Sequence, residues 1–345
     1  MDADKLARIR EMANRDPWVF NDERLTRVFS PENRKNVDPT MPYAGLSTFL
    51  RMPYSQSLDG LDVALVGIPS DQGVTFRPGA RFGPQQVRTL SSIAGGPMHH
   101  QSRIIPTELC SIADIGDVAI ESSYSLDRAT AEIEAFFHAI VAAGVTPLAV
   151  GGDHSVTYPI LKAVGKSRPV GLVHIDAHCD TGGAWGGSKF HHGGPMRNAA
   201  VAGVLDPERT VQIGIRGRAE PIWDFSYDSG MRVIHVEEFF EMGVDAVIAE
   251  ARRVVGDGPT YISFDVDSID PAFAPGTGTP EVGGLMPHDV MKLIRGLRGL
   301  DLVGADVVEV SPPYDPSGNT ALVGATMLWE LLCILTEAIS ARKTR

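Results

Sequence analysis

The sequence predicts an α/β protein with three layers, α/β/α, around a central and mostly parallel β-sheet. Short β-branched apolar runs recur from residue 62 to residue 310. Helical periodicities separate most of these runs, which is the pattern of βαβ units. The runs are apolar almost throughout, as expected for strands that helices cover on both faces. A closed (β/α) barrel fits the same alternation, and periodicity alone does not exclude it.

The individual elements follow from the same patterns. The predicted strands are, in order, DVALVGI, SIADIGD, VTPLAVGG, VGLVHID, TVQIGI, MRVIHV, PTYISFDVD and LVGADVVEV. The predicted helices lie around residues 84–93, 126–143, 155–165, 237–256, 287–298 and 320–341. The clearest is LDRATAEIEAFFHAIVAAGV, which we expect to stop at Gly144 because glycine readily ends a helix.

The chain divides into two predicted segments, an N-terminal arm at 1–57 and a main domain at 58–345. The arm has a short amphipathic start followed by the Pro- and Asn-dotted stretch SPENRKNVDPTMPY. We interpret it as an extended arm that packs on the body or on a neighbouring subunit. A loosely ordered tail explains the same composition equally well.

The bulk composition excludes several classes of partner. The formal net charge of −12 argues against nucleic acid or an anionic membrane, because both require basic patches. The cysteines Cys110, Cys179 and Cys333 are few and widely spaced, so we expect no disulfide framework and a reducing, cytoplasmic compartment. The N-terminus is charged throughout, unlike a signal peptide. No run approaches the roughly 20 apolar residues of a membrane span.

Polar residues cluster directly after three predicted strands. GGDHS follows TPLAV, DAHCD follows VGLVHI, and DVDSIDP follows TYISF. Ligands of open parallel sheets bind beyond the carboxyl ends of the strands, so these clusters are expected to meet at one edge. Side chains alternate faces along a strand, so Asp176, His178 and Asp180 are expected to converge there, as are Asp265 and Asp267.

The remaining residues of the stretch HIDAHCD, positions 174–180, receive other roles. By the same alternation, Ala177 and Cys179 point to the opposite, packed face. His174 shares the ligand parity but lies one step deeper in the sheet. We interpret it as a buried histidine with a hydrogen-bond partner.

Four carboxylates and two imidazoles form the candidate metal set: His154, Asp176, His178, Asp180, Asp265 and Asp267. So many carboxylates repel one another unless cations neutralise them, which predicts two divalent metal ions per chain with two bridging carboxylates. Oxygen-rich donors with two histidines suit Mn(II), with Ni(II) or Fe(II) as alternatives. Two such ions activate a shared water at neutral pH, which predicts hydrolysis. Scattered acidic loop residues are the competing interpretation.

GGDHS, DAHCD and SFDVDSIDPAFAPGTGTPEVGG together resemble the motifs of the ureohydrolases, the arginase–agmatinase family. The resemblance runs from about residue 60 to the C-terminus and includes RPGARFGPQQVR and GADVVEVSPPYD. The sequence is similar to the agmatinase-like branch of this family, which contains guanidinobutyrase, guanidinopropionase and guanidine hydrolase. The resemblance implies an arginase-like fold, a ureohydrolase catalytic domain at 58–345, and hydrolysis of a small guanidino compound to urea and an amine.

The resemblance also implies how the ligands divide between the two ions. Asp176 and Asp265 would bridge. One ion would be held by His154 and Asp180 besides the bridges, and the other by His178 and Asp267 besides the bridges.

Further site residues are carried over from the same resemblance. His192 of TGGAWGGSKFHHGG, rather than His191, would protonate the leaving amine, and Glu309 of VVEVSP would bind the guanidinium group. Asp180 counts with them as a catalytic residue. A loop histidine and a strand-end salt bridge are the alternatives for His192 and Glu309.

The loop at 181–192 leaves the substrate open. If Lys189 or Arg81 binds a carboxylate of the substrate, a guanidino acid such as 3-guanidinopropionate or 4-guanidinobutyrate is favoured. If Trp185 and Phe190 instead line a small apolar pocket, guanidine, an alkyl guanidine or a biguanide is favoured over agmatine. Met98, His99 and His100 are candidates for the same mouth, with a surface loop as the default for the histidine pair.

Assembly follows only from the resemblance, which implies a homo-oligomer, a trimer or hexamer, or a hetero-oligomer with a paralogue. Two rival functions remain. One is a weakly catalytic partner subunit, against which the intact ligand set argues. The other is deacetylation of amides, which the segment SFDVDSIDPAFAPGTGTPE fits less well.

Overall fold

A computed structural model describes residues 1–30, 42–217 and 223–344 of the chain. Each predicted strand is present in it. The strands are β1 Val63–Ile68, β2 Ile112–Asp117, β3 Thr146–Gly151, β4 Val170–Ile175, β5 Leu205–Ile215, β6 Arg232–His235, β7 Thr260–Asp265 and β8 Leu302–Val308. They form one eight-stranded sheet in the order β2-β1-β3-β8-β7-β4-β5-β6.

Every neighbouring pair in this sheet is parallel. The order begins and ends on different strands, so the sheet is open and the barrel alternative is excluded. The predicted three-layer α/β/α class is confirmed.

Helices cover both faces of the sheet, as the near-continuous apolar strands require. The helices are α1 Ala3–Ala13, α2 Glu23–Val28, α3 Gly83–Leu90, α4 Pro106–Leu109, α5 Leu126–Ala142, α6 Thr157–Val164, α7 Pro195–Val201, α8 Asp224–Asp228, α9 Val236–Met242, α10 Val244–Val255, α11 Pro287–Gly296 and α12 Asn319–Lys343. Short 3₁₀ turns link several of them to the strands.

Alternating residues of β1 show the two cores directly. Val63 and Leu65 pack with residues of α3, α10, α11 and α12 in one buried cluster. Ala64 and Val66 pack with residues of α5, α6 and α7 in a second cluster on the opposite face. The sheet therefore has no solvent-exposed face along this strand.

One predicted helix is interrupted. The periodicity around 237–256 is two helices, α9 and α10, which meet at Gly243. Gly243 has φ +74°, a conformation that favours glycine and that no α-helix continues through. The predicted helix of residues 126–143 is confirmed as α5, and Gly144 follows it at φ +76°.

The described part of the N-terminal arm contains two α-helices, α1 and α2. Asp2 caps α1 by accepting from the Asp4 amide, and this helix buries none of its residues. Around α2 the arm contacts the body, since Asp22 pairs with Arg103 at 3.0 Å. Most of the Pro- and Asn-dotted stretch, residues 31–41, lies outside the described residues.

The last helix, α12, is long and apolar enough by length and composition to cross a membrane, although no such stretch was expected from the sequence. In the structure 78% of its most apolar window is buried inside the protein. Its residues pack against β8, α3 and α11, so its hydrophobicity is accounted for by the core.

Candidate metal centre and active site

Four neighbouring strands bring the candidate site together at their carboxyl ends. In the sheet order, β3, β8, β7 and β4 are adjacent. His154 follows β3, Glu309 follows β8, Asp265 ends β7 and Asp176 follows β4. All four side chains are buried, with at most 2% of each residue exposed. Segments far apart in the sequence thus form one edge site.

His154 is at the centre of the first group of candidate ligands. Its Nδ1 lies 3.1 Å from Asp176 Oδ2, 2.9 Å from Asp180 Oδ2 and 3.2 Å from Asp265 Oδ2. This nitrogen is nevertheless buried without a hydrogen bond to any described residue. A buried nitrogen among three carboxylate oxygens, outside hydrogen-bond geometry, is the arrangement that a shared cation satisfies.

A buried chain of hydrogen bonds orients the His154 ring. Its Nε2 lies 2.8 Å from Ser263 Oγ, and that hydroxyl donates to Asp306 Oδ1 at 2.7 Å. Thr157 and Tyr261 donate to the other oxygen of Asp306. Because Nε2 donates into this chain, Nδ1 presents a lone pair to the ligand cluster.

The second group lies on the other side of Asp176. His178 Nδ1 is 3.1 Å from Asp267 Oδ2 and 3.5 Å from Asp176 Oδ1. These three residues offer ligand atoms that lie within 4.8 Å of one another. His178 Nε2 faces Glu281 Oε1 at 3.6 Å, a carboxylate that sequence reasoning did not single out.

His174 also lies near the first group but is already satisfied. Its Nδ1 accepts from Gln212 Nε2 at 3.0 Å, so Nε2 carries the proton and donates to Asp176 Oδ2 at 2.7 Å. The structure therefore gives His174 a partner on each nitrogen. It orients a ligand carboxylate and has no free lone pair for an ion.

The backbone that carries these ligands is irregular, not extended. β4 ends at Ile175, and Asp180 lies beyond it with φ +50°. Asp267 sits in a 3₁₀ turn after β7, where its amide donates to Asp265 Oδ1 at 2.8 Å. Cys179 is buried against Ile215, on the packed side expected for it.

The charges of the site call for cations. Although burial alone raises the pKa of a carboxyl, His174 holds the pKa of Asp176 well below its usual range. Burial and the neighbouring Asp267 raise the pKa of Asp265 well above its usual range. Buried carboxylates so close together are stabilised as anions only by positive charge. The donor set of carboxylates and imidazoles therefore fits two divalent ions.

His192 and Glu309 form a buried pair beside the ligands. His192 Nδ1 lies 2.9 Å from Glu309 Oε1, which also accepts from the His154 amide at 2.9 Å. Burial lowers the pKa of His192, but the Glu309 carboxylate outweighs it and raises that pKa to about 9. His191, the other candidate in the loop, bonds instead to the Gly183 carbonyl at 2.6 Å.

Two further residues interact with this pair, one by a hydrogen bond and one electrostatically, and were missed as site residues. Thr75 Oγ1 lies 2.7 Å from His192 Nε2, so both ring nitrogens have partners. Asp153 is fully buried, accepts from the Gly73 amide at 2.8 Å, and has a pKa raised to about 6 by burial and by Glu309. Asp153 belongs to the motif GGDHS, but its spacing did not distinguish it from a turn residue.

Ser263 and Asp306 carried a signal that the sequence reasoning did not use. Both are polar residues inside otherwise apolar strands, β7 and β8. A polar side chain buried in a sheet needs a partner, and a partner near a ligand histidine orients that ligand.

Several residues proposed for the substrate mouth lie apart from one another. Trp185 is 69% exposed, in a turn where its backbone pairs with Ser188. Phe190 packs inward and stacks on Tyr158 at 5.9 Å. The two aromatic residues therefore do not form one buried wall in this structure.

The candidate cations also differ. Arg81 is ion-paired with Asp71, and Lys189 is exposed, with its ammonium 5.0 Å from the Phe190 ring. Arg81 is therefore already paired with a carboxylate of the protein, and Lys189 lies at the surface.

The surface-loop expectation is wrong for His99. His99 is 2% exposed and its Nε2 lies 3.0 Å from Glu330 Oε2, within α12. Arg295 donates to the same carboxylate, so this histidine belongs to a buried structural network. His100 is exposed and stacks on His99 at 4.9 Å.

A buried cluster of carboxylates and imidazoles at the carboxyl edge of an open parallel sheet is the arrangement expected of a metal-dependent hydrolase. Comparison with known proteins narrows this class, since the model of the Arginase family matches residues 61–333. The chain belongs to the arginase family, and the resemblance and enzyme class expected from its motifs are confirmed.

Individual relatives agree with the family assignment. Guanidinopropionase of Pseudomonas aeruginosa is 56% identical over 299 residues, 86% of this chain and 93% of that protein. Mitochondrial agmatinase of Gallus gallus is 47% identical over 310 residues, 88% of this chain and 91% of that protein. The structure of proclavaminate amidino hydrolase from Streptomyces clavuligerus superposes with a TM-score of 0.83 at 38% identity, over 86% of this chain and 99% of that chain.

Proposed function

We propose that this protein hydrolyses a small guanidino acid, such as 3-guanidinopropionate or 4-guanidinobutyrate, to urea and the corresponding amino acid. Two divalent ions would be held by His154, Asp176, His178, Asp180, Asp265 and Asp267. When bound, the ions would supply an activated water at neutral pH. Asp176 would serve both ions, since its carboxylate faces His154 through Oδ2 and His178 through Oδ1. The family resemblance implies the same role for Asp265.

One observation carries the proposal, the free oxygen of Glu309. Its Oε1 is occupied by His192 and the His154 amide, whereas Oε2 is buried without a hydrogen bond to any described residue. An unpaired buried carboxylate oxygen is costly unless a ligand completes it. A guanidinium supplies planar, cationic N–H donors, which are its natural partner.

His192 would handle the proton of the leaving amine. The carboxylate of Glu309 favours the protonated imidazole, so His192 holds a proton at neutral pH. Transfer of that proton to the departing nitrogen lets the amine leave as a neutral group. Thr75, which is exposed to solvent, bonds to Nε2 and orients the ring.

Arg77 is our candidate for the carboxylate of the substrate. A Cβ placed on Gly278 would lie 3.0 Å from Glu309 Oε2 and 3.4 Å from the Arg77 carbonyl, so the two residues flank one narrow space. The Arg77 guanidinium lies over the Phe76 and Tyr314 rings, 5.4 and 5.1 Å from their centroids. It has no carboxylate partner among the described residues, unlike Arg81.

Urea release from a panel of compounds tests the function. We expect the highest kcat/KM for a guanidino acid over guanidine, agmatine, arginine and biguanides. In Arg77→Met, kcat/KM should fall for the guanidino acid and change little for free guanidine, which has no carboxylate and serves as the internal control. Equal losses on both compounds would remove Arg77 from recognition, and absence of urea from every compound would refute the reaction.

The metal and the assembly are further proposals. The oxygen-rich donor set favours Mn(II), with Ni(II) as the alternative, and the panel distinguishes them when run on protein loaded with each ion. We propose a cytoplasmic homo-oligomer, a trimer or hexamer, in keeping with exposed aromatic residues such as Phe76 and Phe82. Light scattering of the purified protein measures that mass.

Agmatine is the second candidate substrate, since the similarity to an agmatinase is also high. Agmatine ends in a cation, so the positive charge of Arg77 would disfavour its binding. Arg77→Met would therefore raise activity on agmatine. A biguanide remains a weaker alternative. A weakly catalytic partner subunit in a mixed oligomer is disfavoured by the intact ligand set.

A further inference from the structure

We propose that Arg216 is a positioning residue for the second metal ion, the one assigned to His178 and Asp267. This proposal rests on the proposed function, since it presumes that His178 and Asp267 bind an ion. Arg216 acts by fixing the backbone segments that present the ligands.

Among the described residues, the guanidinium of Arg216 donates to backbone carbonyls alone. Nε donates to Glu281 O at 3.2 Å. Nη1 donates to Gly214 O and Ser268 O, both at 3.1 Å. Nη2 donates to Asp267 O at 2.8 Å and to Glu281 O at 2.7 Å. One, two and two bonds account for all five N–H groups of an arginine.

Apart from Gly214 in β5, these carbonyls belong to the turn that carries Asp267 and to Glu281, which faces His178. Asp267 is itself a candidate ligand, and its backbone carbonyl accepts a hydrogen bond from Arg216 Nη2. Glu281 presents its carboxylate toward His178 Nε2 at 3.6 Å, while its carbonyl is held twice by Arg216. A fixed Glu281 favours the His178 tautomer that leaves Nδ1 free for an ion.

The backbone of Arg216 completes the attachment. The amides of Arg216 and Gly217 both donate to Ala177 O at 2.9 Å, and Ala177 lies between Asp176 and His178. The side chain and main chain of one residue therefore join the loop after β4 to the turn after β7. A Cβ on Gly217 would lie 2.3 Å from His178 Cδ2, so the imidazole packs directly on this backbone.

The first group of ligands is held by other means. His154 is oriented by Ser263, and Asp180 O accepts from the Met196 amide at 3.1 Å. Arg216 makes no hydrogen bond to either His154 or Asp180. Its loss should therefore weaken one ion selectively.

Metal stoichiometry tests the proposal without any substrate. Full-length wild-type, Arg216→Lys and Arg216→Met proteins are loaded with Mn(II), dialysed at defined free Mn(II), and analysed by elemental mass spectrometry. We expect the wild type to retain two ions per chain and Arg216→Met to retain one, with Kd for the other raised about 10- to 100-fold, the usual effect of losing an outer partner. Arg216→Lys should lie between them, because lysine lacks the planar fork.

Arg209, on the strand β5 that Arg216 follows, provides a matched control. Among the described residues it too donates to carbonyls alone, Val255 O at 2.8 Å and Pro259 O at 3.2 Å, near the opposite end of β7. Arg209→Met should lose stability without losing an ion. Unfolding curves of all variants separate folding from binding.

Two results would overturn the proposal: Arg216→Met retaining both ions with unchanged affinity, or losing both ions together in parallel with its stability. Restoration of the second ion, and of urea release, by excess Mn(II) would support it. A wild-type protein that binds fewer than two ions would instead refute the metal centre of the proposed function, so the two failures are distinguishable.

Discussion

Glu309 and Asp180 both adopt left-handed backbone conformations, with φ +66° and φ +50°. For non-glycine residues this strain costs about 1–3 kcal/mol each and persists only where the surroundings impose it. Tertiary hydrogen bonds do so here, since the Glu309 amide donates to Gly152 O at 2.9 Å. At the scale of single residues, the candidate site therefore holds two of the five described non-glycine residues with positive φ.

Replacement of His192 tests its role as the acid. We expect His192→Asn to lower kcat about 100- to 10,000-fold, the usual contribution of a general acid. In the wild type, kcat/KM should fall as the pH rises through about 9, because the protonated imidazole is lost there. The pH profile of urea release measures this limb.

The neighbouring histidine is the natural control for that experiment. His191 bonds to a loop carbonyl rather than to Glu309. His191→Asn should retain most activity and the same high-pH limb. A larger loss in His191→Asn than in His192→Asn would show that the roles are reversed.

At the scale of elements, the site depends on how closely the strand ends approach. A Cβ on Gly152 would lie 1.7 Å from Ser70 O, so the ends of β1 and β3 pack together only because residue 152 lacks a side chain. The backbone carbonyl of Gly152 also accepts a hydrogen bond from the Glu309 amide. One glycine therefore links three neighbouring strands to the site.

Gly152→Ala should separate these strand ends. Overpacking typically costs 1–3 kcal/mol, and a clash with backbone is at the upper end or above. We expect a lower midpoint of denaturant unfolding together with weaker metal retention. Gly96→Ala is the control, since a Cβ there meets nothing within 4 Å. Equal midpoints for the two variants would contradict the close approach.

At the scale of the whole molecule, the sheet assembles buried charge from distant parts of the chain. Asp153, Asp176, Asp265, Asp267 and Asp306 are each at most 2% exposed. Such burial of carboxylates is unfavourable unless hydrogen bonds or cations compensate it. Folding and metal binding are therefore expected to be coupled.

Metal removal should lower the thermal midpoint of the protein. Ions at ~1,000 times their Kd stabilise the fold by about 4 kcal/mol per site. Since 1 kcal/mol shifts the midpoint of a large domain by roughly 2–4 °C, chelation should lower it by several degrees at least. Differential scanning calorimetry measures the change. Readdition of Mn(II) should restore the midpoint, and an unchanged midpoint after verified metal loss would contradict the coupling.

Much of the fold was predictable because it is written in local patterns. All eight strands and the long helix α5 follow from apolar runs and helical periodicity. The division of one predicted helix at Gly243 and the two helices of the arm were not predicted. Helix ends and short helices depend on caps such as Asp2, whose effect periodicity does not register.

The candidate ligands were found partly for an incorrect reason. Strand alternation was used to make Asp176, His178 and Asp180 converge, yet β4 ends at Ile175. The residues converge because an irregular loop, with Asp180 left-handed, turns around the ligand cluster. The residue types identified the chemistry, while the actual path of the backbone came from contacts with β5 and β7.

The sequence by itself determined the α/β class, the strands, the family resemblance and the donor types of the metal set. These depend on residue chemistry and on neighbours within a few positions. Only the tertiary structure decided that β8 lies between β3 and β7, that Glu309 meets His192, and that Arg216 joins two ligand loops. Such contacts join residues far apart in the chain, and their geometry is set by the order in which the strands pack.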